Sequence, residues 1–327
     1  MTAASLLKRA PQNGLQPVDL SRHLRSLADL IELCFAWDMD AGGLSVVREM
    51  HFLSRLGPGL RVLTALGLTQ PPWELGFVWV EDGRVIGSVS TTRSAAYPAT
   101  WLIANVAVHP NHRRQGIAHT LMRATLDLIR SRHGAEAILQ VDDDNLGAVA
   151  LYRQMGFEHV TTHTHWTRPH RLPAPPNEPS PFDVRLRSPL EWADQLALAS
   201  LVRPAGLAWN QPLRPDLFQP VLWKHIESFF TGQAEEHWVV RVNEKLVGSL
   251  TARANGNDGD RFVLLVHPDY RGQLERPLLQ RGLRRLAPRP WAVRLEHPAD
   301  DAPASDALRE FGFQPGRTLL WMRVDVR

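Results

Sequence analysis

The chain of 327 residues contains one cysteine, Cys34. A lone thiol excludes an intrachain disulfide, so the fold needs no oxidising compartment, and Cys34 reads as a small apolar residue on a helix face. Long apolar runs are also lacking. None approaches the ~20 residues a membrane span requires, and the opening MTAASLLKRAPQNG has no apolar middle of the secretory kind. A cytoplasmic protein without a membrane partner is expected. There is little excess charge: 37 basic against 34 acidic side chains leave a net +3, too little for a general attraction to nucleic acid. The nucleotide-binding patterns G-x-G-x-x-G and G-x-x-x-x-G-K-[ST] are absent. His159, His163, His165 and His170 cluster in HVTTHTHWTRPH, but without an accompanying acid or cysteine pattern. They predict a late strand with His163 and His165 on one face, and no metal site.

What is present is enough apolar content, 44%, for two domains each with its own core. Six prolines fall among the 14 residues Pro169 to Phe182, which denies that stretch helix and ladder hydrogen bonds and marks a semi-rigid linker. On either side the same order of elements appears twice. FVWVEDGRVIGSVS (Phe77 to Ser90) and WVVRVNEKLVGSL (Trp238 to Leu250) each read as two strands around a tight turn. VAVHPNHRRQ (Val106 to Gln115) and LLVHPDYRGQ (Leu264 to Gln273) align without a gap. LYRQMGF (Leu151 to Phe157) and ALREFGF (Ala307 to Phe313) close the pattern. These three matched stretches, with a helical segment and a short strand between the last two in both halves, keep one order and indicate duplication.

Between these landmarks, Ile117, Leu121, Ala124, Leu128 and Ile129 share one helical stripe, predicting an amphipathic helix from Ile117 to Arg132 packed on a sheet. Ala137 to Val141 is a strand candidate, and Ala148, Leu151, Tyr152 and Met155 form a second helical stripe. Asp142 to Asn145 solvates the loop before it and caps it. Each half is therefore an α/β (α+β mixed sheet) layer of strands covered by helices. The predicted division is 1–168, a linker at 169–181, and 182–327.

HRRQGIA, His112 to Ala118, is a cationic turn with a glycine where a strand pattern gives way to a helix. Free amides and the positive end of the helix dipole would face an anion there, Gly116 would remove the Cβ that blocks close approach, and Arg113 and Arg114 would add charge-assisted bonds. The expected occupant is a pyrophosphate.

VAVHPNHRRQGIA, followed about 30 residues later by NLGAVALYRQMGF, resembles the signature of the GNAT superfamily of acyl-CoA-dependent N-acetyltransferases. Arg113, Gly116 and Ala118 satisfy its [QR]-x-x-G-x-[GA] motif. The resemblance covers Phe77 to about Val160, with the second half a degraded copy, as in tandem members of the mycothiol synthase-like type. It implies two mostly antiparallel mixed sheets flanked by helices, and acetyl-CoA as acyl donor with no metal. The strand Trp101 to Val108 would carry a bulge, leaving Val106, Ala107 and Val108 to bond the pantetheine arm. The turn Arg113, Arg114, Gln115, Gly116, Ile117 and Ala118 would hold the pyrophosphate. Asn145 would contact the donor arm, and Tyr152 would be the general acid to the departing thiolate.

The sequence departs from the family at the base, because Leu102 to Val108 contains no acid. Asn105 with a water, Glu74, Asp38, Asp40 and His51 remain alternatives. In the second copy the ungapped alignment sets Leu274 against Gly116 and Glu275 against Ile117, so one working site is expected, in the first half. The expected reaction is direct attack of an amine, small-molecule or peptide, on the thioester in a ternary complex. The alternative is a protein that senses acyl-CoA without turnover.

Overall fold

The computed structural model describes residues 13–36, 41–56, 75–94, 97–203, 218, 234–254 and 259–327. Two compact units divide the chain. The first comprises residues 1–140, 150–158 and 323–327, the second 141–149 and 159–322. The closing segment of each half thus counts with the other unit: residues 159–168 with the second and 323–327 with the first.

The first unit begins with strand β1 (Gly14–Pro17) and helix α1 (Leu20–Phe35), whose N-cap Asp19 accepts from the Ser21 amide at 3.0 Å. Helix α2 (Ala41–Ser54) packs with α1. Strands β2 (Leu75–Glu81) and β3 (Arg84–Arg93) are joined by Asp82 and Gly83, both at positive φ. That is the two-residue turn whose twist matches a hairpin. Strand β4 (Thr100–Val108) pairs antiparallel with β3, and parallel with β5 (Glu136–Asp142). Leu24, Leu27, Leu30, Val78, Val85 and Ala107 belong to one core cluster under α1 and α2.

Helix α3 (Ile117–Ser131) is the predicted amphipathic helix and buries Ile117, Leu121, Met122, Thr125, Leu126 and Ile129. Its apolar stripe runs through Met122 and Leu126, with Ala124 and Leu128 at the margin. The helix lies close to β3 because Gly87 has no side chain: a Cβ there would sit 2.8 Å from Ile117 Cγ2 and 3.1 Å from Leu121 Cδ1. Helix α4 (Leu146–Gln154) follows β5.

The second unit contains β6 (Glu158–Arg168), the late strand with the histidines, paired antiparallel with β11 (Val293–Pro298). Its other elements are β7 (Arg185–Leu186), α5 (Trp192–Val202), the hairpin β8 (Ala234–Val242) and β9 (Lys245–Ala254), β10 (Asp260–Val266), α6 (Glu275–Leu286), α7 (Ala302–Glu310) and β12 (Gln314–Asp325). The β8–β9 turn repeats the positive-φ pair at Asn243 and Glu244. Val240, Leu250, Leu264, Leu278, Leu295 and Leu308 lie in its core.

The proline-rich linker is bound along this second unit. Prolines have no N–H, so the contacts use its carbonyls: Arg168 donates to Pro173 at 2.6 Å, Gln280 to Pro176 at 2.6 Å and Arg284 to Pro175 at 2.9 Å.

Candidate active site

The site begins with an irregularity in β4. Ser88 pairs with Ala107 and Ser90 with Ala104, so two steps along β3 oppose three along β4, which is a β-bulge. Asn105 sits in it at φ 52°, a left-handed conformation that asparagine adopts more readily than most residues. Side chains of β3 close the gap: Ser88 Oγ donates to Asn105 O at 3.1 Å, Ser90 Oγ to Ala104 O at 3.1 Å, and Asn105 Nδ2 to Ser90 Oγ at 2.9 Å. On its other side β4 holds β5 in register only from Thr100 to Leu102, opposite Glu136 to Ile138. Val106, Ala107 and Val108 therefore lie beyond that register. The extra residue also flips the strand, so Ala107 enters the α1–α2 core while Val106 and Val108 stay half-buried.

The turn after β4 follows from its sequence. His109 Nδ1 accepts from the Asn111 amide at 3.3 Å and Pro110 opens a single 3-10 turn, Pro110–His112. His112 Nδ1 lies 3.0 Å from Glu81 Oε2, tying the turn to β2. Two left-handed residues follow, Arg114 at φ 65° and Gly116 at φ 79°. Such alternation turns successive amides toward one concavity. Gly116 is the N-cap of α3 and supplies no side-chain cap, and the first turn of α3 contains no acid, so the first amides of α3 have no capping group from that position. A Cβ placed on Gly116 would meet nothing within 4 Å. The cradle is open, and Arg113, Arg114, Gln115 and Gly116 are exposed around it while Ile117 is anchored in the core and Ala118 is half-buried. Amides, helix dipole and two guanidinium groups in one exposed turn fit a diphosphate, and a bulged, splayed strand edge fits an extended amide-bearing arm.

Cys34 belongs to this neighbourhood, which the sequence reading did not foresee. Its thiol donates to Val108 O at 3.7 Å, and the same carbonyl accepts from Arg113 Nε at 3.1 Å. Burial pushes the thiol up from its ordinary value against the pull of Arg113, so it is protonated and structural. No local sequence signal places residue 34 beside residue 108; only the packing of α1 on the sheet does.

Tyr152 is 5% exposed on α4, and its position is set by the helix end. Phe157 N donates to Tyr152 O at 3.0 Å and Gly156 N to Arg153 O at 3.0 Å, with Gly156 at φ 87°. This is a Schellman motif, which brings the residues at Tyr152 and Phe157 together; their rings are 5.8 Å apart. The Gly-Phe pair noticed in the sequence is that motif. Burial pushes the Tyr152 phenol well up, so it is protonated at any working pH.

Asn145 counts with the second unit and caps α4, its Oδ1 accepting from Ala148 N at 3.2 Å. Among the base candidates, Asp38, Asp40 and Glu74 lie outside the described residues. His51 is turned to α1, 3.4 Å from Glu32 and 3.9 Å from Asp29. Among the described residues no group of three or more His, Cys, Asp or Glu is placed to hold a metal ion, and no helix is long and apolar enough to cross a membrane.

The second unit repeats the scaffold without the cradle. His267 Nδ1 accepts from Asp269 N at 3.3 Å as His109 does from Asn111, and Phe313 N donates to Leu308 O at 2.9 Å as Phe157 does to Tyr152. However, β9 and β10 pair from Arg253–Arg261 to Gly248–Val266 without a register shift, so the bulge is missing. The turn has one left-handed residue, Gly272 at φ 80°. A Cβ on Gly248 would sit 2.8 Å from Leu274 Cδ1 and 3.2 Å from Leu278 Cδ1, the relation Gly87 has to Ile117 and Leu121. Leu274 therefore takes the place of Ile117, not that of Gly116 as in the ungapped alignment. The turn is one residue shorter, and the lost residue is the glycine.

Residues 49–157 match the model of the Acetyltransferase (GNAT) family. N-alpha-acetyltransferase 30 of Schizosaccharomyces pombe is 34% identical over 86 residues, which is 26% of this chain and 57% of the relative's length. A GCN5-related N-acetyltransferase from Sphaerobacter thermophilus has a similar fold at TM-score 0.60 and 17% identity, covering 96% of this chain and 95% of that one. A tandem GNAT protein from the clavulanic acid biosynthesis pathway aligns at TM-score 0.54 and 17% identity over 96% and 98% of the two chains. The family match rests on residues 49–157, the chain spans 57% of the length of the first curated relatives it matches, and its fold as a whole is similar to that of a tandem GNAT protein.

Proposed function

We propose that this protein is an acyl-CoA-dependent N-acetyltransferase with one working site, in the first unit, and acetyl-CoA as donor. The observation that carries the reading is the pairing of a bulged, splayed β4 with the open turn at Gly116. Val106, Ala107 and Val108 would bond the pantetheine arm through their backbone. Arg113, Arg114 and the amides from Gln115 to Ala118 would hold the diphosphate, and Asn145 would contact the arm from the start of α4. The donor supplies an activated thioester carbonyl.

The chain's own groups would then do the rest. The β4 edge orients the carbonyl, and the Val108 N–H stabilises the oxyanion. As the C–N bond forms and the C–S bond breaks, Tyr152, protonated and packed against Phe157, would donate to the departing sulfur, and the proton lost by the amine nitrogen would pass to solvent and restore the phenol. The acceptor is an amine, on a small molecule or a peptide; the similarity to an N-alpha-acetyltransferase favours including peptide N-termini among those tried. A cytoplasmic location and the absence of nucleic-acid and membrane partners complete the reading, in which the halves 1–168 and 182–327 arose by duplication.

The test is thiol release from acetyl-CoA across a panel of amines and short peptides, comparing the intact protein with Tyr152→Phe, together with calorimetric titration of acetyl-CoA. One donor site per chain and tyrosine-dependent turnover support the reading. Two equivalent sites overturn the assignment to the first unit, and donor binding without turnover on any amine leaves an acyl-CoA sensor.

A further inference from the structure

The first turn of α6 contains an acid, Glu275, that is 1% exposed. Neither of its carboxyl oxygens makes a hydrogen bond of good geometry, although both are fully buried. The amides of Gly272, Leu274 and Glu275 itself face this carboxyl and favour its ionised form, while burial and the nearby Asp301 oppose it more strongly. An acid buried against its own helix N-terminus, without full hydrogen bonding, is costly unless it fills a place made for an anion.

That place can be identified by comparison with the first unit. The amide turn before α3 ends in a glycine without a cap, and its first helical turn has no acid. The equivalent turn before α6 has lost that glycine and has gained Glu275. The surrounding charges are paired within the chain, with Asp301 buried and Arg271 exposed. Asp301 Oδ2 lies 3.0 Å from His297 Nε2 and 3.7 Å from Arg271 Nε, and Asp301 Oδ1 accepts from Ala304 N at 3.2 Å. Arg271, the counterpart of Arg113, is thereby engaged by a carboxylate of the chain.

We propose that the second unit retains a phosphate-binding turn and that Glu275 occupies it as a tethered ligand, so that removing the carboxyl uncovers a site for a phosphate or diphosphate group. The proposal rests on reading the Gly116 turn as a diphosphate seat only for the comparison; the second-unit site can be tested whether or not the first binds. The Glu275 carboxyl keeps the donor from a unit that has no bulge to receive it and no tyrosine at Leu308, which confines donor binding to the first unit.

The probe is inorganic pyrophosphate, titrated by calorimetry into the full chain as wild type, Glu275→Ala, Gly116→Trp and the double variant. Glu275→Ala is expected to bind one pyrophosphate more than wild type, and the double variant to keep that added site. A wild type that binds none, with the gain still present in Glu275→Ala, overturns the first-unit reading and upholds this one. A folded Glu275→Ala with unchanged near-ultraviolet dichroism and no added site overturns the proposal. Should Glu275→Ala fail to fold, the wild type decides: the amide resonances of Gly272, Leu274 and Glu275 are expected to share one inflection on pH titration, above the ordinary glutamate range. Amides that titrate independently, or not at all, overturn it.

Discussion

Arg113 Nε lies 3.1 Å from the carbonyl oxygen of Val108, so the cation that opens the turn is tied to the last residue of the bulged strand. One side chain thus joins the two parts of the proposed donor site. Arg113→Ala should lose a charge-assisted contact worth about 1.5 kcal/mol, roughly a tenfold weaker acetyl-CoA affinity by calorimetry. Unfolding temperature should change little, because the side chain is exposed. Unchanged affinity would show that the guanidinium serves only the Val108 carbonyl.

Gly116 separates strain from sterics. Its φ of 79° disfavours any L side chain, yet a Cβ there meets nothing. Gly116→Ala should therefore cost only the left-handed conformation, about 1–2 kcal/mol in thermal or urea unfolding. If the space above Gly116 is where the diphosphate sits, the same variant should also bind acetyl-CoA at least tenfold more weakly. A variant that loses stability but not affinity would place the donor elsewhere.

The structure explains why some of this was legible in the sequence. His109-Pro110 and His267-Pro268 are local caps, Gly156-Phe157 and Gly312-Phe313 are Schellman ends, and Asp82-Gly83 is a hairpin turn; each is written in a few adjacent residues. The amphipathic period of α3 fixed its bounds to within one residue. The missed features depend on contacts across the chain. Cys34 reaches Val108 only through packing, the ungapped alignment hid the deleted glycine because Leu274 shifts to fill the place of Ile117, and the assignment of residues 159–168 to the second unit follows from pairing with β11.

Tyr152 should be separable from the fold. The ring is held by Phe157 at 5.8 Å, and phenylalanine keeps that contact while removing the hydroxyl. Tyr152→Phe is expected to lower kcat by ~10²-fold or more, with acetyl-CoA affinity and unfolding temperature near those of wild type. A parallel loss of affinity would mean that the phenol binds the donor instead of serving its departure.

Asn105 tests the bulge. Its positive φ and its bond to Ser90 Oγ at 2.9 Å both favour the extra residue in β4. Asn105→Gly should keep the conformation and lose only the side-chain bond, whereas Asn105→Val should force the strand toward regular pairing. Donor affinity is expected to survive the first change and fall at least tenfold in the second, read by calorimetry. Equal affinities in the two variants would separate the bulge from donor binding.

The last prediction concerns pH. Burial and the nearby Asp301 raise the pKa of Glu275 in the folded state, so its contribution to stability is present at and below the ordinary glutamate pKa of about 4.3 and is lost as pH rises through the folded value. Asp301 has the opposite sign. Burial pushes it up, but His297, the Ala304 amide and Arg271 together hold it below the usual range. Its contribution is therefore present above the ordinary aspartate value and lost only in stronger acid. The two groups act in separate windows. Glu275→Gln should leave the unfolding temperature near that of wild type at about pH 4. As pH rises toward neutrality it should pull ahead by a few degrees, corresponding to ~1 kcal/mol. Parallel curves for the two proteins across that range would show that the amides of Gly272, Leu274 and Glu275 fully offset the burial of the charge and the nearby Asp301.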